Sequence, residues 1–195
     1  MKLSSEQVHH IGGAIIASVA LLVLLFQLSL IQWPLLPYLL PLLLVGYGIE
    51  SFLDTWIHGS AAPAHYGPES VQHLVQGAAV VVAGIAEALL LLGILQHSLW
   101  GLFLPLALIV VGAIFFIHAQ HEAGAPALVL VVQHRVFALT LFVAAATKAL
   151  SLIPGSTAVL ASAWFLPFLL FGLELLIYTE GDSAEPHVNK HNHGR

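Results

Sequence analysis

The chain of 195 residues is 59% hydrophobic and 8% charged, with a mean hydropathy of +0.95 and a formal net charge of −5 when histidine is neutral. A soluble domain carries about 25% charged residues, so the composition points to an integral membrane protein, and a mild acidic balance without a basic run excludes a nucleic-acid partner. With no cysteine and Met1 as the sole methionine, disulfides, thiolate sites, iron–sulfur clusters, thiol catalysis and thioether ligation are excluded, and against this stand twelve histidines.

A bilayer core needs about 20 apolar residues per helix, and six stretches reach that length. The first, Gly12–Ile31, is longer than the apolar part of a signal peptide and has a barely basic lead-in, so it reads as a retained span. Trp33-Pro34 opens the second, Leu35–Ile57, and "APAHYGPES" separates it from the third, Val71–Leu95. "QHSLW" precedes the fourth, Leu99–His118, and Pro126 stands at the start of the fifth, Ala127–Leu150. "IPGST" supplies a turn and a cap for the sixth, Thr157–Tyr178. Pro37, Pro41, Pro105 and Pro167 are expected to bend or open their helices. The expected fold is all-α: a polytopic, up-and-down bundle of six transmembrane helices with both termini on one side. Residues 1–180 form the transmembrane domain and 181–195 a polar, histidine-containing tail.

Tracing the polar residues through this topology sorts them sharply. On the face holding the N-terminus, side A, the second span ends with Glu50, Asp54 and His58, and the following loop adds His65 and Glu69. The third span begins there with His73 and Gln76, the fourth ends with His118, His121 and Glu122, and the fifth begins with His134 and Arg135. Glu174, Tyr178 and Glu180 end the sixth, His9 and His10 precede the first, and His187, His191 and His193 lie in the tail. Eleven of twelve histidines therefore fall on side A, and side B is nearly inert. Its features are His97, the interfacial anchors Trp33 and Trp100, and Lys148, which is expected to snorkel. Glu87 stands apart near the middle of the third span.

Residues four apart drift slowly around a helix, so Glu50, Asp54 and His58 share one stripe, and His118, His121 and Glu122 share a face. A carboxylate near the bilayer centre costs roughly 2.5–3.5 kcal/mol on insertion scales. A divalent metal neutralises two such acids at once, with imidazoles completing its coordination. The expected metal ligands are Glu50, Asp54, His58, His73, His118, His121, His134 and Glu174, with Glu122, Tyr178 and Arg135 as acid–base or supporting groups. Nitrogen and oxygen donors without sulfur suit iron, zinc, manganese or copper(II), in a mononuclear or dinuclear site. Asp54-x-x-x-His58 followed by His73 broadly resembles the Asp/His/His copper motif in the C subunit of particulate methane and ammonia monooxygenases, over three residues of 195.

Three functions fit this pattern. A membrane metalloenzyme, an oxidoreductase or hydrolase, would take an apolar or amphiphilic substrate from the lipid and react it at an open coordination position. A divalent metal transporter or resistance protein would need polar groups continuing across the membrane, and only Glu87, Thr140 and Thr147 extend that way. A b-type cytochrome would use His73, His134 or His118 on haem, but haem does not call for so many carboxylates and is the less favoured cofactor. Lys2, Lys190 and Arg195 on side A, against Lys148 on side B, favour a cytoplasmic side A.

Overall fold

A computed structural model describes residues 4–58, 68–117 and 128–179. Helices α1 (Ser5–Gln27), α2 (Leu39–His58), α3 (Pro68–Leu91), α4 (Phe103–Ile117), α5 (Leu128–Ser151), α6 (Ala158–Ala163) and α7 (Phe165–Leu176) account for almost all of them. Among the described residues there is no strand, and six helical stretches are long and apolar enough to cross a membrane. The sixth of these is α6 and α7 together.

The first helix begins well before the expected Gly12. Ser4 caps it: its hydroxyl accepts from the Gln7 N–H at 3.2 Å, and the Gln7 side chain accepts from the Ser4 N–H at 3.0 Å. This reciprocal box satisfies two backbone donors and extends the helix through His9 and His10, which the sequence reading left in front of it. The third helix stops earlier than the expected Leu95. Gly93 takes φ +70°, and the Ile94 N–H turns back to the Leu89 carbonyl at 3.0 Å, which closes the helix end. Glu87 therefore lies one turn from the side-B end of α3, not near its middle.

The prolines act differently from the expected mid-helix kinks. Pro41, Pro105 and Pro167 are each the third residue of α2, α4 and α7. A residue in the first turn of a helix has no intrahelical acceptor for its N–H, so the missing donor costs nothing there. Each is preceded by an opening segment on side B: the 3-10 turn Leu36–Tyr38, which contains Pro37, the 3-10 turn Ser98–Leu102, and the short helix α6. All three spans running from side B to side A thus start loosely and become regular α-helix at a proline.

The helices close into a ring. The pairs α1/α7, α2/α3 and α4/α5 pack most closely, and α3/α4, α5/α7 and α1/α2 join them. Lipid tails are as apolar as leucine, so helices in a bilayer associate through close packing and polar contacts. The inner faces accordingly carry small residues, with Ala20, Ala83, Ala138 and Ala144 fully buried, while Leu42, Leu139 and Leu166 point outward. One very close approach is between α1 and α7. A Cβ on Gly172 would lie 2.5 Å from the Ala17 nitrogen, and one on Gly13 would lie 2.7 Å from the Gly172 carbonyl oxygen. The first and last helices are thereby locked side by side, and their ends on side A meet. The fold is that of an integral membrane six-helix bundle with both termini on one face.

Candidate functional site

At side A the Gly13–Gly172 contact brings the start of α1 against the residues that follow α7. Tyr178 is the largest fully buried side chain there, 1% exposed. The His9 ring stacks on it at 4.0 Å between centroids, and His134 meets it edge-on at 6.0 Å. His10 Nε2–H donates to the Tyr178 carbonyl at 2.8 Å. The next residue, Thr179, is held to α5 by a reciprocal pair: the Gln133 amide donates to the Thr179 carbonyl, and the Thr179 N–H donates to the Gln133 oxygen, both at 3.1 Å. Phe115, Phe137 and Phe171 form the apolar wall behind His134.

His134 is buried, and its Nδ1 lies 2.8 Å from the Leu130 carbonyl. A carbonyl only accepts, so Nδ1 carries a proton. Histidine metal ligands are held in the same way, with the second ring nitrogen donating to a backbone carbonyl. Deeper along α7, Glu174 is 9% exposed; its Oε1 accepts from the Thr140 hydroxyl at 2.7 Å, and its Oε2 is buried without a hydrogen-bond partner. A carboxyl oxygen in that position is satisfied by a proton or a cation.

A second polar group lies between α2 and α3. Ser51 donates to the His73 carbonyl at 2.8 Å, and Gln76 donates to the Tyr47 hydroxyl. A Cβ on Gly77 would lie 3.0 Å from the Gly48 carbonyl, the close approach that lets these short side chains span the two helices. Glu50 is on the exposed part of α2 beside Ser51, and His73 is half-buried on α3.

The structure thus unites His134 and Tyr178 of the expected set, with Glu174 further in, and keeps Glu50 and His73 in the α2/α3 group. Arg135, next to buried His134, faces outward with its guanidinium 5.9 Å from the centre of the Phe116 ring. Asp54 and His58 lie on α2, but their side chains are outside the described set, and His118, His121 and Glu122 lie outside the described residues altogether. Among the described residues, no three histidine, aspartate or glutamate side chains come together as a metal-sized group. His9 and His10 belong to the cluster although the expected ligand set left them out. The signal that could have found them is the Ser4-x-x-Gln7 capping box, which puts both histidines on a helix.

Side B holds the largest departure from expectation. Lys148 does not snorkel to the interface but turns inward, 3.2 Å from Glu87 Oε1, with both side chains 12% exposed. Its ammonium also lies 5.0 Å from the centre of the Trp164 ring, which is 2% exposed. His97 caps the 3-10 turn at Ser98, its Nδ1 accepting from the Leu99 N–H at 3.2 Å, and Trp33 and Trp100 are exposed as interfacial anchors would be.

No protein-family model, no curated protein and no solved structure matches the chain.

Proposed function

We propose that the protein is a membrane metalloprotein that binds iron, copper or zinc at the side-A end of its bundle and uses it as a metal-dependent oxidoreductase or hydrolase. Its substrate is apolar or amphiphilic and arrives from the lipid. The observation that carries this reading is His134: buried and fixed by its Nδ1–H on the Leu130 carbonyl, as histidine metal ligands are held. In this reading His134 is a metal ligand, and the remaining ligands come from Asp54, His58, His73, His118 and His121, with Glu50 and Glu174 as the acids. Glu174 supports it with a buried oxygen that has no donor. The bound metal would supply Lewis acidity or redox chemistry. The protein's own part is to hold His134 in one tautomer and to exclude water behind it with Phe115, Phe137 and Phe171. Glu122, Tyr178 and Arg135 are the acid–base and supporting groups of this proposal.

Glu87 favours this reading over transport. It is the acid a transported cation would use toward side B, and it is already paired with Lys148. The same inward turn takes Lys148 away from the side-B interface, which sharpens the basic bias of side A and supports a cytoplasmic side A.

Elemental analysis of the purified protein tests the proposal. Roughly one or two transition metals per chain are expected, lost in His134→Ala and retained in His97→Ala, with affinity falling below about pH 6.5 as protons compete for imidazole lone pairs. Protein that is metal-free after gentle purification and takes up none of the candidate metals overturns it, as does equal loss from both variants.

A further inference from the structure

We propose that Thr140 is a positioning residue for Glu174: its hydroxyl holds one carboxyl oxygen, so that Glu174 meets a metal through Oε2 alone. Resting on the metal reading above, this role specifies how one of its acids ligates. Helices α5 and α7 pack against each other, and Thr140 and Glu174 meet across that contact, where both are buried. The Thr140 hydroxyl donates to Glu174 Oε1 at 2.7 Å, and Oε2 is buried without a hydrogen-bond partner.

A hydroxyl inside a helix ordinarily returns its proton to a carbonyl of the preceding turn. Thr147 does so to Val143 and Ala144, Ser151 to Lys148, and Ser162 to Ala158 and Val159. Thr140 instead spends its single proton on a side chain of another helix. Being β-branched, it is stiff at χ1, so the direction of that donation is fixed by the α5 backbone. The residues beside the pair on the two buried faces, Phe137, Ala138, Leu141, Phe171 and Leu175, have no side-chain donor to offer in its place.

A carboxylate binds a cation with one oxygen or chelates it with both. Chelation by Glu174 would compete with the Thr140 hydrogen bond on Oε1, whereas binding through Oε2 keeps it and satisfies the bare oxygen. One-oxygen binding also leaves a further position open on the metal, which a catalytic site needs and a closed structural site does not. Ligating carboxylates are themselves hydrogen-bonded in metal sites, and loss of such a supporting partner costs about 10–100-fold in affinity.

Full-length protein in lipid nanodiscs is stripped of metal with a chelator and titrated with iron(II), copper(II) and zinc(II) in turn. Thr140→Val, close in shape but without the donor, should bind about 10–100-fold more weakly than wild type, and Thr140→Ser should recover the affinity. Infrared difference spectra on adding metal give a second reading, with the bands missing in Glu174→Gln assigned to the Glu174 carboxylate. The gap between its asymmetric and symmetric stretches is wide for one-oxygen binding and narrow for chelation. It should be wide in wild type and Thr140→Ser and narrow in Thr140→Val. A role in helix packing alone would lower stability without narrowing the gap. Equal affinity in Thr140→Val, a Glu174→Gln spectrum identical to wild type, or a narrow gap in wild type overturns the positioning role but not the metalloprotein, which His134→Ala tests separately. Wild-type protein that binds none of these metals overturns both. If Thr140→Val does not fold, the wild-type gap and the Glu174→Gln comparison decide it.

Discussion

The two ends of the bundle handle polar groups in opposite ways. At side A, histidines, a tyrosine and an acid from α1, α5 and α7 interlock through neutral contacts: ring stacking, N–H to carbonyl and hydroxyl to carboxyl. At side B a single pair of opposite charges does the equivalent work between α3 and α5. Neutral contacts are individually modest but degrade gradually when one is lost, whereas a charge pair in a poorly solvated place fails at once when one partner is removed.

The contrast is broken most severely at side B. Removing the carboxylate with Glu87→Gln should destabilise the bundle by about 3 kcal/mol, the low end for a broken buried pair because both groups keep some exposure. The double variant Glu87→Gln with Lys148→Met should recover most of that loss. Thermal unfolding in nanodiscs measures both, and equal damage in the single and double variants would show that shape, not charge, matters there.

Gly172→Ala attacks the foundation of side A instead. The added Cβ would meet the Ala17 backbone at 2.5 Å, a position no side-chain rotation relieves, and overpacking of this kind costs about 1–3 kcal/mol. Prising α1 from α7 should also lower metal content, since it disturbs the seating of His9 and His10 on Tyr178. Unfolding and elemental analysis on the same sample check both effects.

The smallest effect is expected from Ser4→Ala, which removes the hydroxyl half of the capping box. Loss of such a cap costs about 1 kcal/mol, and here it should fray the first turns of α1. Hydrogen exchange should speed up through residues 5–10 while α3 and α5 remain protected. Unchanged exchange there would mean that the His9–Tyr178 stack, not the cap, holds the helix start.

Much of the architecture was legible because a bilayer imposes a length on every span and each break carried turn chemistry. All six spans lie where hydropathy and the Pro and Gly signals placed them. Their ends shifted for local reasons: the Ser4 box added turns to α1, Gly93 shortened α3, and the prolines began helices that they were expected to bend. The side-A position of His9, His10, His73 and His134 follows from counting alternate span ends, which needs no packing information. Which of them touch was not legible: His134 turned inward to Tyr178 while its neighbour Arg135 turned outward to Phe116.

By itself the sequence determined the membrane class, the number of spans, and the end of the bundle at which most polar residues lie, because a helix advances by a constant rise per residue and the bilayer sets the scale. Only the tertiary structure decided the partners. Depth leaves open the rotation of each helix about its axis, and that rotation is set where small residues such as Gly13, Gly48, Gly77 and Gly172 let backbones meet. Glu87 and Lys148 are far apart in the chain and unremarkable by periodicity, and a long lysine stem reaches either water or the interior. The packing of α3 and α5 against α4 puts Glu87 within that reach, so the choice between interface and ion pair was made by packing.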